Sequence, residues 1–251
     1  MPPSQSAIIK VPAVTLIFWI IKIAATTLGE TGGDALSMSM RLGYLVSTAI
    51  FAVIFLATVS MQVRAKAFHP LLYWITIVAT TTVGTTLADF MDRSLGIGYA
   101  GGSSLLLALL LLSLFIWHRT LGSVSVGSIS TPKAEIFYWV TILFSQTLGT
   151  ALGDWTADTA GMGYTSAALI FGSLLLIIVI AYYATNISTT ILFWAAFSLT
   201  RPLGAVVGDF LDKPHAQGGL ELSRYGATAA LLSFMLIAIL VFRQRAASNA
   251  H

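Results

Sequence analysis

The sequence predicts an all-α membrane protein: eight transmembrane helices in four tandem two-helix repeats, with the odd-numbered helices at the centre. Three observations support this fold class: the composition, a motif that occurs four times, and eight apolar segments of similar length. Of the 251 residues, 57% are hydrophobic and 9% are charged, whereas soluble domains carry about 25% charged residues. A chain so poor in charge is expected in a bilayer.

The repeated motif has an aromatic residue followed by Trp, a Gly ten residues after the Trp, and an Asp five residues after the Gly. Its copies are Phe18-Trp19, Gly29 and Asp34; Tyr73-Trp74, Gly84 and Asp89; Tyr138-Trp139, Gly149 and Asp154; and Phe193-Trp194, Gly204 and Asp209. The glycines lie 55, 65 and 55 residues apart. This spacing indicates two duplicated halves, 1–120 and 121–251, within a single membrane domain.

The apolar segments lie near residues 11–33, 43–63, 70–88, 97–117, 134–153, 162–183, 189–208 and 224–242. Each is close to the roughly 20 residues that a spanning helix needs. Helices are required because a lone strand leaves its backbone groups unsatisfied in lipid. Thr or Ser precedes the motif Gly on all four odd helices, whereas the even helices are plainer. We therefore expect an inner ring of odd helices surrounded by the even ones.

The basic residues predict the orientation. Seven Lys and Arg residues lie at the amino end, the even-to-odd loops and the carboxyl end, against four in the odd-to-even loops. By the positive-inside rule both termini are expected in the cytoplasm. Among the acidic residues only Glu135 lies on that inner side, so the outer ends of the odd helices are rich in carboxylate and should concentrate cations.

The motif residues allow two interpretations each. Gly29, Gly84, Gly149 and Gly204 each precede a second small residue by four positions, which is typical of close helix packing, although bare backbone there could also face a solute path. The four motif Trp residues lie about 15 Å from the glycines, near the inner membrane interface. They are either interfacial anchors or packing residues, or they form a cation–π or gating ring. These residues are Trp19, Trp74, Trp139 and Trp194. Asp34, Asp89, Asp154 and Asp209 are either solvated turn residues or a convergent ring that selects cations.

Three charged residues fall inside the predicted helices. Lys22 and Arg201 lie on the same face of their helices as the motif Gly, and Glu30 follows Gly29 directly. Charge at this depth is expensive and marks a functional site by default. We predict one buried cluster of Lys22, Glu30 and Arg201, with a Glu30–Arg201 ion pair if the first and seventh helices are neighbours. Purely structural neutralisation is the alternative.

The sequence gives little support to an enzyme or a cofactor protein. It has no Cys, and its four His residues lie in loops or at the end, so a zinc or copper site has no obvious ligands. Carboxylate, Thr and carbonyl oxygens suit a hard ion, but which metal, if any, is left open. The chain shows no nucleophile–base pair, phosphate loop or exposed basic surface, so we expect no catalysis, no cofactor and no nucleic acid.

The four tandem repeats, each with Trp19, Trp74, Trp139 or Trp194, resemble a bacterial membrane-protein family described as a repeat of unknown function. The resemblance covers residues from about 11 to 242. It implies an integral protein of eight helices in the bacterial cytoplasmic membrane, and it supplies no substrate. Lys22 and Arg201-Pro202 depart from the pattern of the other repeats and indicate a specialised function.

The leading hypothesis is a transporter or channel-like permease for a small ion, with a cation preferred. One alternative is an anion or small-solute transporter that uses Lys22 and Arg201. The other is a membrane scaffold or partner-binding subunit without transport. A water-accessible cavity lined by the odd helices would favour transport, and solid packing there would favour a scaffold. Besides the bilayer and the ion or solute, the sequence leaves a homo-oligomer open as a partner.

Overall fold

The structure, a computed structural model, describes residues 9–247. Its helices are α1 (Leu16–Asp34), α2 (Tyr44–Arg64), α3 (Pro70–Asp89), α4 (Tyr99–Leu121), α5 (Pro132–Asp154), α6 (Gly163–Ala184), α7 (Thr189–Asp212) and α8 (Arg224–Val241). The eight predicted helices are thus observed. The backbone at Pro12 pairs with that at Ala246, so the two ends of the described chain meet on one side.

Seven of these helices, α2 to α8, are long and apolar enough to cross a membrane. The exception is α1, which carries Lys22, Glu30 and Asp34 within its 19 residues. The seven apolar helices indicate a multi-pass membrane protein, and a membrane span at α1 stays a prediction. The charged residues that lower the hydropathy of α1 are also the ones that the sequence predicts to be functional.

The odd helices form a closed ring. α1 packs against α3 and α7, and α5 packs against the same two helices. Each even helix covers the odd helix of the following repeat: α2 lies on α3, α4 on α5, and α6 on α7, while α8 returns to α1. Between 61% and 72% of the spanning windows of α3, α5 and α7 is buried, against 11% to 33% for the even helices. The predicted inner and outer rings are confirmed.

The motif glycines lie at the contacts between neighbouring odd helices. Gly29 packs on Thr81, Gly84 on the backbone of Gln146 and Thr147, and Gly149 on Arg201. Gly204 closes the ring by packing on Thr26. Each glycine thus meets the residue three positions before the next motif glycine, and a Cβ atom at any of the four would lie at 3.0 Å or closer to the neighbouring helix. The packing interpretation of these glycines agrees with this geometry.

At the other end of the motif, the first three odd helices end at Asp34, Asp89 and Asp154, and each continues into a π-helical turn. α7 instead continues past Asp209 to Asp212. The longer loop of the fourth repeat follows it, held by the bond from the Leu222 amide to the Leu211 carbonyl, at 2.8 Å. The four motif Asp residues therefore all lie at the same end of the ring, which we call the carboxylate end.

Replacing Gly84 by Ala should lower the free energy of unfolding by about 1–3 kcal/mol, because the added Cβ would overpack against backbone that cannot rotate away. Thermal unfolding in detergent measures the change. Gly172→Ala on α6 is the matched control, because nothing lies within 4 Å of its added Cβ and Ala favours the helix by about 1 kcal/mol. Equal melting temperatures for the two variants would contradict the packing of the ring.

Candidate functional site

The four motif Asp side chains are buried at the carboxylate end, with 1% or 2% of each exposed. Lys213 joins two of them: its Nζ lies 2.7 Å from Asp34 Oδ2 and 3.0 Å from Asp209 Oδ1. Arg93 joins the other two, with Nε 2.9 Å from Asp89 Oδ1 and Nη2 3.3 Å from Asp154 Oδ2. The structure therefore brings the quartet together as two bridged pairs and does not leave it in solvated loops.

Arg93 and Lys213 are functional candidates that the sequence reasoning missed. Each follows its own motif Asp by four residues, whereas the first and third repeats carry Met38 and Asp158 at that position. The spacing was the available signal, because residues four apart lie on one face of a helix. At the carboxylate end the symmetry of the charged residues is therefore twofold and not fourfold, because repeats two and four supply the cations for all four motif carboxylates.

Lys213 lies just beyond the end of α7 and is buried. Burial by itself lowers the pKa of its ammonium group, but the carboxylates of Asp209, Asp34 and Asp212 outweigh this and hold the pKa well above its ordinary value. Lys213 thus stays charged at physiological pH. It neutralises part of the carboxylate ring permanently.

Below the ring, Arg201 lies on the axis of the four odd helices and is fully buried. Its Nη2 lies 2.8 Å from Glu30 Oε2 on α1, and it donates to the hydroxyls of Thr85 on α3 and Thr150 on α5. Its Nη1 also donates to the Thr26 carbonyl at 3.3 Å. The predicted Glu30–Arg201 ion pair is confirmed, and it crosses the centre of the ring.

Lys22 is also fully buried but does not join this pair. Its Nζ donates to Thr200 Oγ1 at 3.4 Å and lies 4.1 Å from the centroid of the Phe197 ring. Lys22 and Glu30 share a face of α1, but eight residues separate them by about 12 Å along the axis. The prediction of one cluster of Lys22, Glu30 and Arg201 is therefore wrong for Lys22, which lies nearer the amino-terminal end of α1 than the ion pair does.

At the opposite end, which we call the aromatic end, the motif aromatics form one layer. The residue before each motif Trp packs on the Trp of the next repeat, with centroid distances of 5.5, 5.7, 6.1 and 5.8 Å for Phe18–Trp74, Tyr73–Trp139, Tyr138–Trp194 and Phe193–Trp19. The hydroxyls of Tyr73 and Tyr138 hydrogen-bond at 2.6 Å. Trp74, Trp139 and Trp194 are buried and Trp19 is half-buried, so the quartet packs within the bundle.

A cavity of about 680 Å³ opens at the carboxylate end, and we call it the cup. Its lining includes Arg93, Lys213 and Arg224, together with Asp158, Tyr99 and Tyr164. The motif Asp side chains do not themselves line the cup; they lie behind Arg93 and Lys213, which do. A second cavity, of about 250 Å³, lies outside the ring between α2, α3 and α8 and has an apolar lining.

The carboxylates at the base of the cup outnumber their cations. Six buried acids, Glu30, Asp34, Asp89, Asp154, Asp209 and Asp212, lie with four cations, Arg93, Arg201, Lys213 and Arg224. With all groups ionised, two negative charges stay uncompensated.

Three of these acids form a set that could hold a metal ion, since Glu30, Asp34 and Asp209 each offer an oxygen within 4.8 Å of the others. The buried Oδ1 of Asp34 has no hydrogen-bond partner among the described residues. Such an all-oxygen set suits a hard cation.

The comparisons with known proteins agree with the duplicated architecture. The family model described as Repeat of Unknown Function (DUF347) matches residues 17–68, 72–123, 137–188 and 192–247, so the chain belongs to this family. Each matched segment contains one odd helix and the even helix that follows it, which confirms the predicted repeats. Neither the search of curated proteins nor the search of solved structures gives a match.

Removing one partner of the axial ion pair should destabilise the fold more than removing both. Arg201→Met leaves Glu30 buried without its cation, which typically costs about 3–5 kcal/mol. The double variant with Glu30→Gln should recover most of this loss, because no uncompensated charge is then left behind. Unfolding in detergent of the two single variants and the double variant forms the measurement. Strictly additive losses would show that the two side chains are not coupled.

Proposed function

We propose that this member of the DUF347 family is a multi-pass membrane permease for a small cation, which it binds through the cup at the carboxylate end. One observation carries the proposal: six buried carboxylates share an ion-pair network with only four cations, directly behind the Arg93 and Lys213 side chains that line the cup. Acidic rings at the mouth of a pore are a common means of selecting cations.

The binding position that the geometry favours is the set of Glu30, Asp34 and Asp209. These carboxylates lie behind the lining of the cup, where Lys213 and Arg201 compensate part of their charge. A cation that binds there reduces the uncompensated charge that burial makes costly. Electrostatic attraction therefore favours binding of the cation, because the protein's own basic residues do not neutralise all of the carboxylates.

The conformation is open at the cup and closed towards the aromatic end, which supports transport by alternating access. On the axis the pathway is closed first by the Glu30–Arg201 pair and then by the aromatic layer with Tyr73 and Tyr138. Passage of an ion requires both layers to open in turn. In the proposed orientation the cup faces the outside of a bacterial cytoplasmic membrane, with both termini inside.

Anion or small-solute transport is the second candidate, because Arg93, Lys213 and Arg224 line the cup. Each of these side chains already contacts a carboxylate, so an anion would have to displace a buried partner, which favours the cation. A scaffold accounts for the close packing of the odd helices and for a cup lined by turns and even helices, but it does not require the excess of buried carboxylates. Flux measurements separate the three functions.

Purified protein in liposomes should transport Mn²⁺ into the lumen, and the quenching of a dye inside the liposomes measures this entry. The pair of changes Asp34→Asn and Asp209→Asn should lower the initial rate at least about tenfold, since two of three oxygen ligands lose their charge. Glu221→Gln, an exposed acid at the same end, is the control and should keep the rate. Rubidium and chloride fluxes in the same vesicles test a monovalent cation and an anion, and an inert wild-type protein in all three would end the transport proposal.

The orientation can be tested on the native chain because it has no cysteine. A cysteine in place of Gln217, at the rim of the cup, should react with a membrane-impermeant maleimide in intact cells. A cysteine in place of Ala67, in the exposed loop between α2 and α3, should react only after the cells are opened. The reverse pattern would place the cup in the cytoplasm and invert the proposed topology.

A further inference from the structure

Lys22 is a buried lysine that the repeat architecture does not require. It lies seven residues before the motif glycine of α1, and the same position holds Ile77, Ile142 and Phe197 in the other repeats. All three of these side chains are apolar and fully buried. An apolar residue thus satisfies the packing at this level of the ring, and the amine serves some other purpose.

The surroundings of Lys22 offer no counter-ion. Among the described residues, no carboxylate lies within 4.0 Å of its Nζ, and its one polar partner is Thr200 Oγ1 at 3.4 Å. Glu30, the acid towards the carboxylate end of α1, is bonded to Arg201 of α7. Of the other helices packed on α1, α3 carries Tyr73 in the aromatic layer and Asp89 at the carboxylate end. At that same end α7 carries Asp209 and Asp212, and α8 carries Arg224.

The charged form of Lys22 is therefore poorly compensated. A charged lysine at the centre of a membrane helix is energetically costly, and the Phe197 ring at 4.1 Å offsets part of this cost. A lysine that binds and releases a proton incurs the cost only while the proton is bound. Ionisable groups inside membrane helices serve as proton relays in pumps and transporters for this reason.

The position of Lys22 along the axis suits such a role. The Glu30–Arg201 pair closes the ring on its carboxylate side, and the hydrogen-bonded Tyr73–Tyr138 layer closes it on its aromatic side. Opening one layer while the other stays closed connects Lys22 to one side of the membrane only. This is the arrangement that alternating access to a proton-binding group requires.

We propose that Lys22 carries a proton in exchange for the transported cation, which makes the protein a cation–proton exchanger. The inference rests on the proposed permease function and names its second substrate. The amine binds one proton from the side to which it is connected, becomes an ammonium group, and releases that proton to the opposite side after the layers have switched. The cation moves in the other direction through Glu30, Asp34 and Asp209.

The experiment uses the full-length protein in liposomes that contain a pH-sensitive dye, with a Mn²⁺ gradient directed inward. Wild-type protein should export protons as Mn²⁺ enters, so the lumen becomes alkaline. Lys22→Ile introduces the residue of the second and third repeats and should lower the protons moved per Mn²⁺ at least tenfold. Lys66→Met, a change of an exposed lysine in the loop after α2, is the control and should keep the wild-type ratio.

Lys22→Arg is the second variant and decides the matter if Lys22→Ile does not fold. Arginine keeps a permanent charge and cannot release its proton, so it should also abolish proton export. A wild-type ratio of protons to Mn²⁺ in either folded variant overturns the proposal. Mn²⁺ entry into wild-type vesicles without any pH change overturns it as well and leaves the permease intact, whereas absence of Mn²⁺ entry removes both.

Discussion

The guanidinium group of Arg201 contacts every other helix of the inner ring, and the ring depends on that contact. From α7 it reaches Glu30 on α1, Thr85 on α3 and Thr150 on α5. Its stem can pass between the helices because Gly149 has no side chain at that point. A buried arginine needs compensating charge and hydrogen-bond acceptors. The three side chains directly after the motif glycines supply acceptors for Nη2, a backbone carbonyl of α1 accepts from Nη1, and Nε has no partner among the described residues.

The structure separates what is fourfold in this protein from what is not. The glycine contacts and the aromatic layer repeat around the ring, because each helix must pack on an equivalent neighbour. The charged residues break this pattern. Arg93 and Lys213 occur in alternate repeats, and Lys22 and Arg201 occur once each. Packing uses the repeated positions, and the proposed transport function combines the repeated Asp34 and Asp209 with Glu30 and Lys22, which depart from the repeat.

The distribution of charge along the axis gives the proposal its physical basis. At the carboxylate end, acids exceed bases and meet the cup. Lys22 has no acid partner among the described residues and lies between two closed layers. In the proposed exchange, a cation and a proton use separate binding positions on one pathway. Each position compensates or carries a charge that the low dielectric of the bundle makes costly.

The sequence by itself determined the eight helices, the four repeats and the ring. The reason is physical: the length of an apolar segment is set by the bilayer, and small residues at one face of each odd helix force close contact. It also identified Glu30 and Arg201, because both lie one turn or less from a motif glycine. These predictions rest on the spacing of residues along the chain, which can be read from the sequence alone.

Only the tertiary structure decided which charges meet. Lys213 and Asp34 are 179 residues apart, and no local pattern joins them. The closure of the ring by α8 on α1 likewise depends on how all four repeats curve around the axis. Lys22 shares a helix face with Glu30, so the sequence placed them in one cluster. Their distance along the axis, and the single ion pair that Glu30 forms with Arg201, separated them.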